Sequence, residues 1–325
     1  MFYRYSIVGN MGTLKFKLSI VIPLYNKQNA IVRTVQSVLN QTVSDFELIV
    51  VDDGSTDDSY NRVKAIEDNR IRLIHKDNGG VSSARNAGIR AAKTEYVAFL
   101  DGDDIWENTF LEEQLKLIAE FPDAGMWGVN YAFVKNGICC PCAQGMGDGF
   151  RGYVENYFGT SHNDLFCSTS VVIKKSVFDV TGTFDERISS SEDLDEWYRI
   201  ILKFPVVYYD KVLAYYNQDA ENRCAYDTAV RFPLHKDIKF YIEKYAEDCR
   251  KNKQFSRFIN NYVASHLLNE GYYFGIETER AEADVIVEKL FYKDIHPKYR
   301  LIFKTPRFMG WLIYKMVCLK KKIRN

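Results

Sequence analysis

Three carboxylates around one glycine, Asp101-Gly102-Asp103-Asp104, follow an apolar run, Tyr96-Val97-Ala98-Phe99-Leu100. The run suits a buried strand. A buried strand has no use for charge, so the acids belong just past its end, within reach of water or a ligand. Asp101 and Asp103 alternate with one residue between them, and in extended backbone their side chains point the same way. Two hard oxygen ligands on one side suit Mg²⁺ or Mn²⁺, which takes a few carboxylates and shares the rest of its shell with phosphate and water. Taken alone, the stretch reads more readily as a strand followed by a solvated acidic turn. Its neighbours decide otherwise.

Those neighbours must bring other polar groups to the same place. Leu18-Ser19-Ile20-Val21-Ile22 reads as a buried strand that stops at Pro23. A polar loop with one aromatic follows, Leu24-Tyr25-Asn26-Lys27, and Asn29 is placed to cap the next helix. That helix has a stripe at Ile31, Val35, Val38 and Leu39. Phe46 to Val51 is a second strand, ending in Asp52-Asp53-Gly54-Ser55-Thr56-Asp57-Asp58, where Asp53, Ser55 and Thr56 are all good helix caps. Ile71 to Ile74 is a third, leading through Asn78-Gly79-Gly80 into a small-residue helix, Val81 to Ala92. Strands alternating with helices predict an α/β fold with a mostly parallel central sheet. Such sheets bind ligands outside the carboxyl ends of their strands. Tyr25, Asp52 with Asp53, Gly79-Gly80, and Asp101 with Asp103 all fall at that edge.

In this order and spacing, VIPLYNK, VDDGSTDD, NGGVSSARNAGIRAA and YVAFLDGDD resemble glycosyltransferase family 2 with the GT-A fold. The resemblance runs from about Leu18 to Tyr216 and includes Gly182-Thr183-Phe184-Asp185-Glu186 and Ser191-Glu192-Asp193-Leu194-Asp195-Glu196-Trp197. It implies a nucleotide site made of Pro23, Tyr25, Asp52, Asp53, Gly80, Arg85 and Asp101. Tyr25 stacks on the base. Asp52 or Asp53, with Asp53 preferred, accepts the uracil N3–H, a contact that needs a pure acceptor. Arg85, near a helix start, faces the pyrophosphate. Asp103 is the main ligand of Mn²⁺ or Mg²⁺, with Asp101 nearer the ribose or the sugar.

The family members that the chain resembles transfer one sugar with inversion. A base takes the acceptor proton and the metal neutralises the leaving diphosphate. Asp193 matches the base position, with Glu192 as the fallback. Glu192, Asp193, Asp195 and Glu196 also make an ordinary acidic first turn of a helix. Ser191 stands where glycine is common. The strand Val206-Val207-Tyr208-Tyr209 leads to Leu213-Ala214-Tyr215-Tyr216-Asn217-Gln218-Asp219. Relatives often carry Arg and His after that aromatic pair, which leaves Asn222 and Arg223 as substitutes over the pyrophosphate. The Q-x-x-R-W motif of processive synthases is absent from the sequence.

A chain of 325 residues with 46% hydrophobic and 26% charged residues can bury one large core with room for an appendage. Forty-three Lys and Arg balance 43 Asp and Glu, so nothing global points to nucleic acid. Seven cysteines, an odd count, argue for a reducing compartment. Cys139-Cys140-Pro141-Cys142 lacks a second pair at zinc-finger spacing. Met1 to Thr13 lacks the apolar core of a signal peptide, and Met11 is an alternative start. The organisation expected is a lead segment 1–17, a GT-A domain 18–222 and a helical extension 223–325. The extension has helical spacing in Phe258, Tyr262, Leu267 and Leu268 and again in Val285, Val287 and Leu290. Residues 303–325 mix Phe308, Met309, Trp311, Leu312, Ile313 and Met316 with Lys304, Arg307, Lys315, Lys320, Lys321, Lys322 and Arg324. This is too short and too charged to span a bilayer. It suits a helix lying on an anionic membrane surface, or else a helix docked on the catalytic domain. The partners expected are a nucleotide-sugar donor, probed as UDP-sugar, and a glycan or polyprenyl-linked acceptor at the cytoplasmic face. The alternative is a non-catalytic nucleotide-sugar binding module. A nucleotidyltransferase or a dinucleotide oxidoreductase would need a glycine-rich phosphate loop where PLYNK stands.

Overall fold

The computed structural model describes residues 18–141, 146–147, 149–159, 165–188, 191–219, 242–269, 273, 277–290, 293–307 and 309–315. Four strands open the chain: β1 (Leu18–Leu24), β2 (Phe46–Asp52), β3 (Ile71–His75) and β4 (Tyr96–Phe99). They pair in parallel in the order β3-β2-β1-β4, with Val21 opposite both Ile49 and Phe99. Parallel strands covered on both faces read as continuous apolar runs, and β1 is buried from end to end.

β1 does not stop before Pro23 as its sequence suggests. It runs through the proline to Leu24, opposite Asp52. The missing N–H does no harm there. Successive residues of a strand direct their peptide groups to alternate sides. On the side of Val21 and Pro23 the neighbouring strand has already ended, with Leu100 N–H donating to Val21 O at 3.1 Å.

Helices connect these strands: α1 (Ile31–Leu39), α2 (Ser59–Lys64) and α3 (Val81–Ala91). The expected caps are not the ones used. The residue before α1 is Ala30, without a side-chain cap, and Lys27 O accepts the N–H groups of Ala30 and Ile31 at 3.0 and 2.9 Å. At α2 the Ser59 N–H donates to Asp57 Oδ1 at 2.9 Å, while Ser55 Oγ accepts from Asn26 N–H. The small residues of α3 let it lie close on β1. A Cβ added to Gly88 would sit 2.2 Å from a Val21 methyl.

Past β4 the chain builds a second flank of the same sheet. β5 (Ile105–Trp106) and α4 (Phe110–Glu120) lead to β6 (Met126–Lys135), which forms a hairpin with β7 (Ile138–Pro141). After β8 (Arg151–Tyr153) comes a 3₁₀ turn, Ser168–Ser170, and then β9 (Val171–Lys174). β9 joins β4 and β6, antiparallel to both. α5 (Phe178–Thr181) and α6 (Glu192–Ile201) precede β10 (Val206–Asn217), a long strand with register shifts after Tyr209 and Val212. The sheet order is β3-β2-β1-β4-β9-β6-β10-β5, so the sheet is parallel on one flank and mixed on the other.

Two compact units result: one from residues 1–154, 164–186 and 191–222, the other from 155–163, 187–190 and 223–325. The second unit is helical, with α7 (Ala246–Lys251), α8 (Lys253–Asn269), α9 (Glu277–Lys289) and α10 (Pro297–Lys304). Phe258, Leu267 and Leu268 are buried as their spacing predicts, but Val285 points outward and Ile286 and Val287 take the inner face of α9. A last helical stretch covers 307 and 309–315, on which Met309, Trp311 and Leu312 are exposed. No helix among the described residues is long and apolar enough to cross a membrane. The lead segment, Asn222, Arg223 and residues 316–325 lie outside the described residues, as does Cys142. Cys139 and Cys140 are exposed on β7 with free thiols.

Candidate active site

The carboxyl ends of the parallel strands carry the predicted polar clusters. Tyr25 follows β1 and is 44% exposed, a ring open to a flat partner. Asn26 takes a left-handed φ of 49° and stitches its loop to the one after β2, its Oδ1 accepting Thr56 N–H at 2.8 Å. Asp52 and Asp53 are both buried and have different partners. Asp52 Oδ2 meets His75 Nδ1 at 2.6 Å, and its Oδ1 is buried with no hydrogen-bond partner in the structure. Asp53 accepts the N–H groups of Gly79 and Gly80, the latter at 2.8 Å, and the Lys76 ammonium. The Asp53 carboxylate thus shapes the turn into α3. Gly80 holds a φ of 86°, and a Cβ there would meet nothing within 4 Å, so the start of α3 opens onto free space.

After β4 the three acids separate by role. Asp104 N–H closes a turn onto Asp101 O at 3.0 Å. Asp103, itself buried, receives the Lys27 ammonium at 2.7 Å. Burial raises the proton affinity of Asp103, and Lys27 opposes that while Asp101 adds to it. Asp104 is buried deeper. It accepts the Thr169 hydroxyl and the Asn217 N–H, the latter at 2.9 Å. It is a strut that ties the acidic loop to the 3₁₀ turn before β9 and to the end of β10. Burial, then Asp103 and Asp101, push its carboxyl well above the usual range.

The second acidic pair opens α6. Ser191, just before it, holds a φ of 62°, which is why glycine suits that position. The helix is fixed from behind by Arg199, which donates to Asp195 Oδ2 at 2.9 Å and to the carbonyls of Thr181 and Thr183 at 2.6 and 3.0 Å, and also pairs with buried Glu196. Asn86 of α3 donates to Phe184 O and Glu186 Oε1. The Gly182 to Glu186 motif is therefore the bracket that seats α6 against α3.

Arg85 joins the two acidic groups. It is 2% exposed and its guanidinium reaches Asp101 Oδ1 at 2.7 Å and Glu192 Oε1 at 2.6 Å. The expectation placed it on a pyrophosphate, whereas here both terminal nitrogens lie on carboxylates. Burial works against its charge, and Asp101, Glu192 and Asp193 more than reverse this, leaving its pKa raised. Asp193 itself is held by Leu194 N–H on Oδ1 at 2.8 Å and by a long contact, 3.4 Å, from the Ser168 hydroxyl to Oδ2. Burial first, then Glu192, push its pKa up to about 7, with Arg85 pulling the other way. An acid poised near neutrality can both accept and return a proton.

A divalent cation fits this chemistry. Among the described residues no group of three or more His, Cys, Asp or Glu side chains is gathered as a metal cage. The protein's share of the shell would be Asp103 and Asp101, two acids that raise the cost of each other's charge, with phosphate oxygens and water completing it.

Lys27, Lys76, His75, Asp104, Ser168 and Thr169 carry no assigned role in the sequence reading. Lys27 stands inside a quoted motif, but nothing local says that it reaches a carboxylate 76 positions away.

Comparison with known proteins follows the same outline. The profile of a family described as Glycosyl transferase family 2 matches residues 19–179. An Escherichia coli protein, the UDP-Glc:α-D-GlcNAc-diphosphoundecaprenol β-1,3-glucosyltransferase WfaP, is 31% identical over 193 residues, 57% of this chain and 70% of that protein. An uncharacterised glycosyltransferase of Rickettsia bellii is 43% identical over 120 residues, 36% of this chain, but the matched part spans 17% of its length. Staphylococcus aureus TarS, residues 1–349 with UDP-GlcNAc, superposes with a TM-score of 0.73 at 18% identity, covering 95% of this chain and 93% of that one.

Proposed function

The chain belongs to glycosyl transferase family 2 and has the GT-A fold, and from that premise we propose that it transfers a single sugar from a UDP-sugar, with inversion, to a hydroxyl of a polyprenyl-linked glycan in cell-surface polysaccharide synthesis. One observation carries the reading. Arg85 bridges Asp101 of the donor edge and Glu192 of α6, and Asp193 is near enough to act on the same guanidinium, so the acids after β4 and those opening α6 lie side by side.

The donor lies along the carboxyl edge of the first four strands. Tyr25 stacks on the uracil, and the buried Asp52-Asp53 pair supplies a pure acceptor for its N3–H. The diphosphate lies in front of the start of α3, just past Gly80, where the first N–H groups of the helix and its dipole favour an anion. Mn²⁺ or Mg²⁺ at Asp103 and Asp101, when bound, neutralises charge on the leaving diphosphate. Asp193 takes the proton of the acceptor hydroxyl as its oxygen bonds to the anomeric carbon and the bond to the diphosphate breaks. Glu192 stays on Arg85 and keeps the base helix in place. The described part of 303–325, with Met309, Trp311, Leu312 and Lys315 exposed, serves as a contact to anionic lipid at the cytoplasmic face, where a polyprenyl-linked acceptor resides.

The test is turnover. The protein is incubated with Mn²⁺, a panel of UDP-sugars and a diphosphoundecaprenyl-linked GlcNAc, and release of UDP is followed with and without the acceptor. Acceptor-dependent release that is lost with EDTA or with Asp103→Ala, by on the order of 10²-fold or more, supports the reading. Tight UDP-sugar binding without any release, in hydrolysis or transfer, would mean a binding module.

A further inference from the structure

The ammonium of Lys27 occupies the place beside Asp103 where the proposed function needs a divalent cation. The contact is short, 2.7 Å, and both side chains are nearly closed off, at 14% and 13% exposure. The lysine is not there by chance of a floppy loop. Its backbone N–H donates to Ser59 Oγ at 2.8 Å and its carbonyl accepts the first two N–H groups of the α1 turn. The neighbouring residue, Gln28, is tied to Asp57 Oδ2 at 3.1 Å, and Asn26 is tied to Thr56. The main chain is therefore fixed, and only the four-carbon stem is left to move. The stem also passes close to Gly102, where a Cβ would lie 3.6 Å from Lys27 Cγ, so the acidic loop and the lysine are shaped to each other.

We propose that Lys27 is a built-in counter-ion of Asp103 that a divalent cation must displace, so that the cation enters together with a nucleoside diphosphate and not alone. The inference rests on Asp103 being the metal ligand. Its physical basis is competition for one carboxylate. Asp103 and Asp101 repel each other in a partly dry pocket, and a buried charge without a partner is costly. With the pocket empty, Lys27 relieves that cost. A bare Mn²⁺ would have to expel the ammonium and gain only two carboxylates. Mn²⁺ that arrives with a diphosphate gains phosphate oxygens as well, and the expelled ammonium gains an anion to face. The coupling is reciprocal: whatever factor UDP adds to the affinity for Mn²⁺, Mn²⁺ adds to the affinity for UDP.

Lys27 is thus a positioning residue, and its effect is read in binding and not only in rate. Mn²⁺ binding is measured without nucleotide from the free-ion electron paramagnetic resonance signal, for the full chain, Lys27→Met, Lys27→Gln, Lys27→Arg and the double variant Lys27→Met with Asp103→Asn. The neutral variants are expected to bind Mn²⁺ about tenfold more tightly or better, the scale of one unit charge at ion-pair distance reduced by solvent. Lys27→Arg keeps the charge and should stay with the unaltered chain. The double variant should lose the gain. In calorimetry the factor by which UDP strengthens Mn²⁺ binding should shrink when Lys27 is neutral. Asp103-dependent Mn²⁺ binding that is indifferent to Lys27 overturns the proposal while leaving the metal site standing. A gain that survives Asp103→Asn places the cation elsewhere and overturns both. If Lys27→Met does not fold, Lys27→Gln decides.

Discussion

In the proposed mechanism Asp193 is the residue on which the chemistry turns, and its environment makes a numerical expectation. Its pKa is pushed up to about 7, so the base is half protonated at neutral pH. The rate at limiting donor should therefore fall on the acid side with a midpoint near 7, because the proton acceptor is lost as pH drops. Arg85 opposes the rise, so Arg85→Gln should move that limb to higher pH as well as lower the rate. Asp193→Asn should cut transfer by about 10²- to 10⁴-fold and leave UDP affinity by calorimetry nearly unchanged. The same shift has a consequence for stability. A carboxyl whose folded pKa lies above its unfolded value stabilises the fold at low pH, and that contribution is lost as pH rises through about 7. Glu196, raised to about 7 by burial, acts in the same direction. The melting temperature of Asp193→Asn should thus decline less between pH 5 and 8 than that of the unaltered chain. A pH–rate profile without an acid limb near neutrality would remove Asp193 as the base.

At the scale of elements, the site depends on how closely α3 can lie on β1. Gly88 is the contact point, and a methyl there would overlap the Val21 side chain on a strand that cannot shift. Gly88→Ala should cost about 1–3 kcal/mol, lowering the melting temperature by roughly 2–12 °C for a domain of this size. It should also weaken turnover, because α3 carries Arg85 and Asn86. A stable, fully active Gly88→Ala protein would show that α3 is not seated as described. The elements of this flank are legible from the residues alone. β1, β2 and β3 are apolar runs of strand length, and α3 announces itself by Ser82, Ser83, Ala84, Ala87 and Gly88. The position of the acid clusters at the strand ends is legible too, but not their burial: Asp52, Asp53, Asp103 and Asp104 are all buried and meet protein partners there. What the sequence does not display is who pairs with whom. Arg85 lies 16 positions from Asp101 and 107 from Glu192, and only the folded sheet makes it a bridge between them. β9 has four residues and no alternating pattern, yet it sits in the middle of the sheet, antiparallel to both neighbours. The cap of α2 escapes the sequence for a related reason. Ser55 and Asp53, which look like local caps, are used for long-range stitching between loops.

For the molecule as a whole, the proposed lipid-linked acceptor raises the question of how a protein with 43 positive and 43 negative side chains would reach it. On the proposed reading, local character would stand in for net charge. Met309, Trp311 and Leu312 are exposed, with Lys315 over the Trp311 ring at 5.6 Å, and Lys320, Lys321, Lys322 and Arg324 follow in the sequence. Vesicles containing anionic lipid should bind the full chain and release it as salt rises, since each nearby cation contributes roughly 1 kcal/mol within a screening length. Deleting 308–325 should abolish that binding and preserve the affinity for UDP. A deletion that unfolds the protein would assign the segment to its core instead. The sheet itself has a further consequence. Its parallel flank is made by one continuous length of chain, 18–99, and strands β5 to β10 make the other. Within the sheet the two meet along a single border, β4 against β9, where Tyr96, Val97 and Ala98 face Lys174, Ile173 and Val172. Such a border is where inheritance can be cut and rejoined. Exchanging residues 18–104 for those of a relative with another donor preference leaves only three residue pairs of sheet to match, so the hybrid is expected to take the new donor and keep the old acceptor. Assaying it against a panel of nucleotide sugars with one lipid-linked acceptor would show whether this fold lets its two substrates evolve apart.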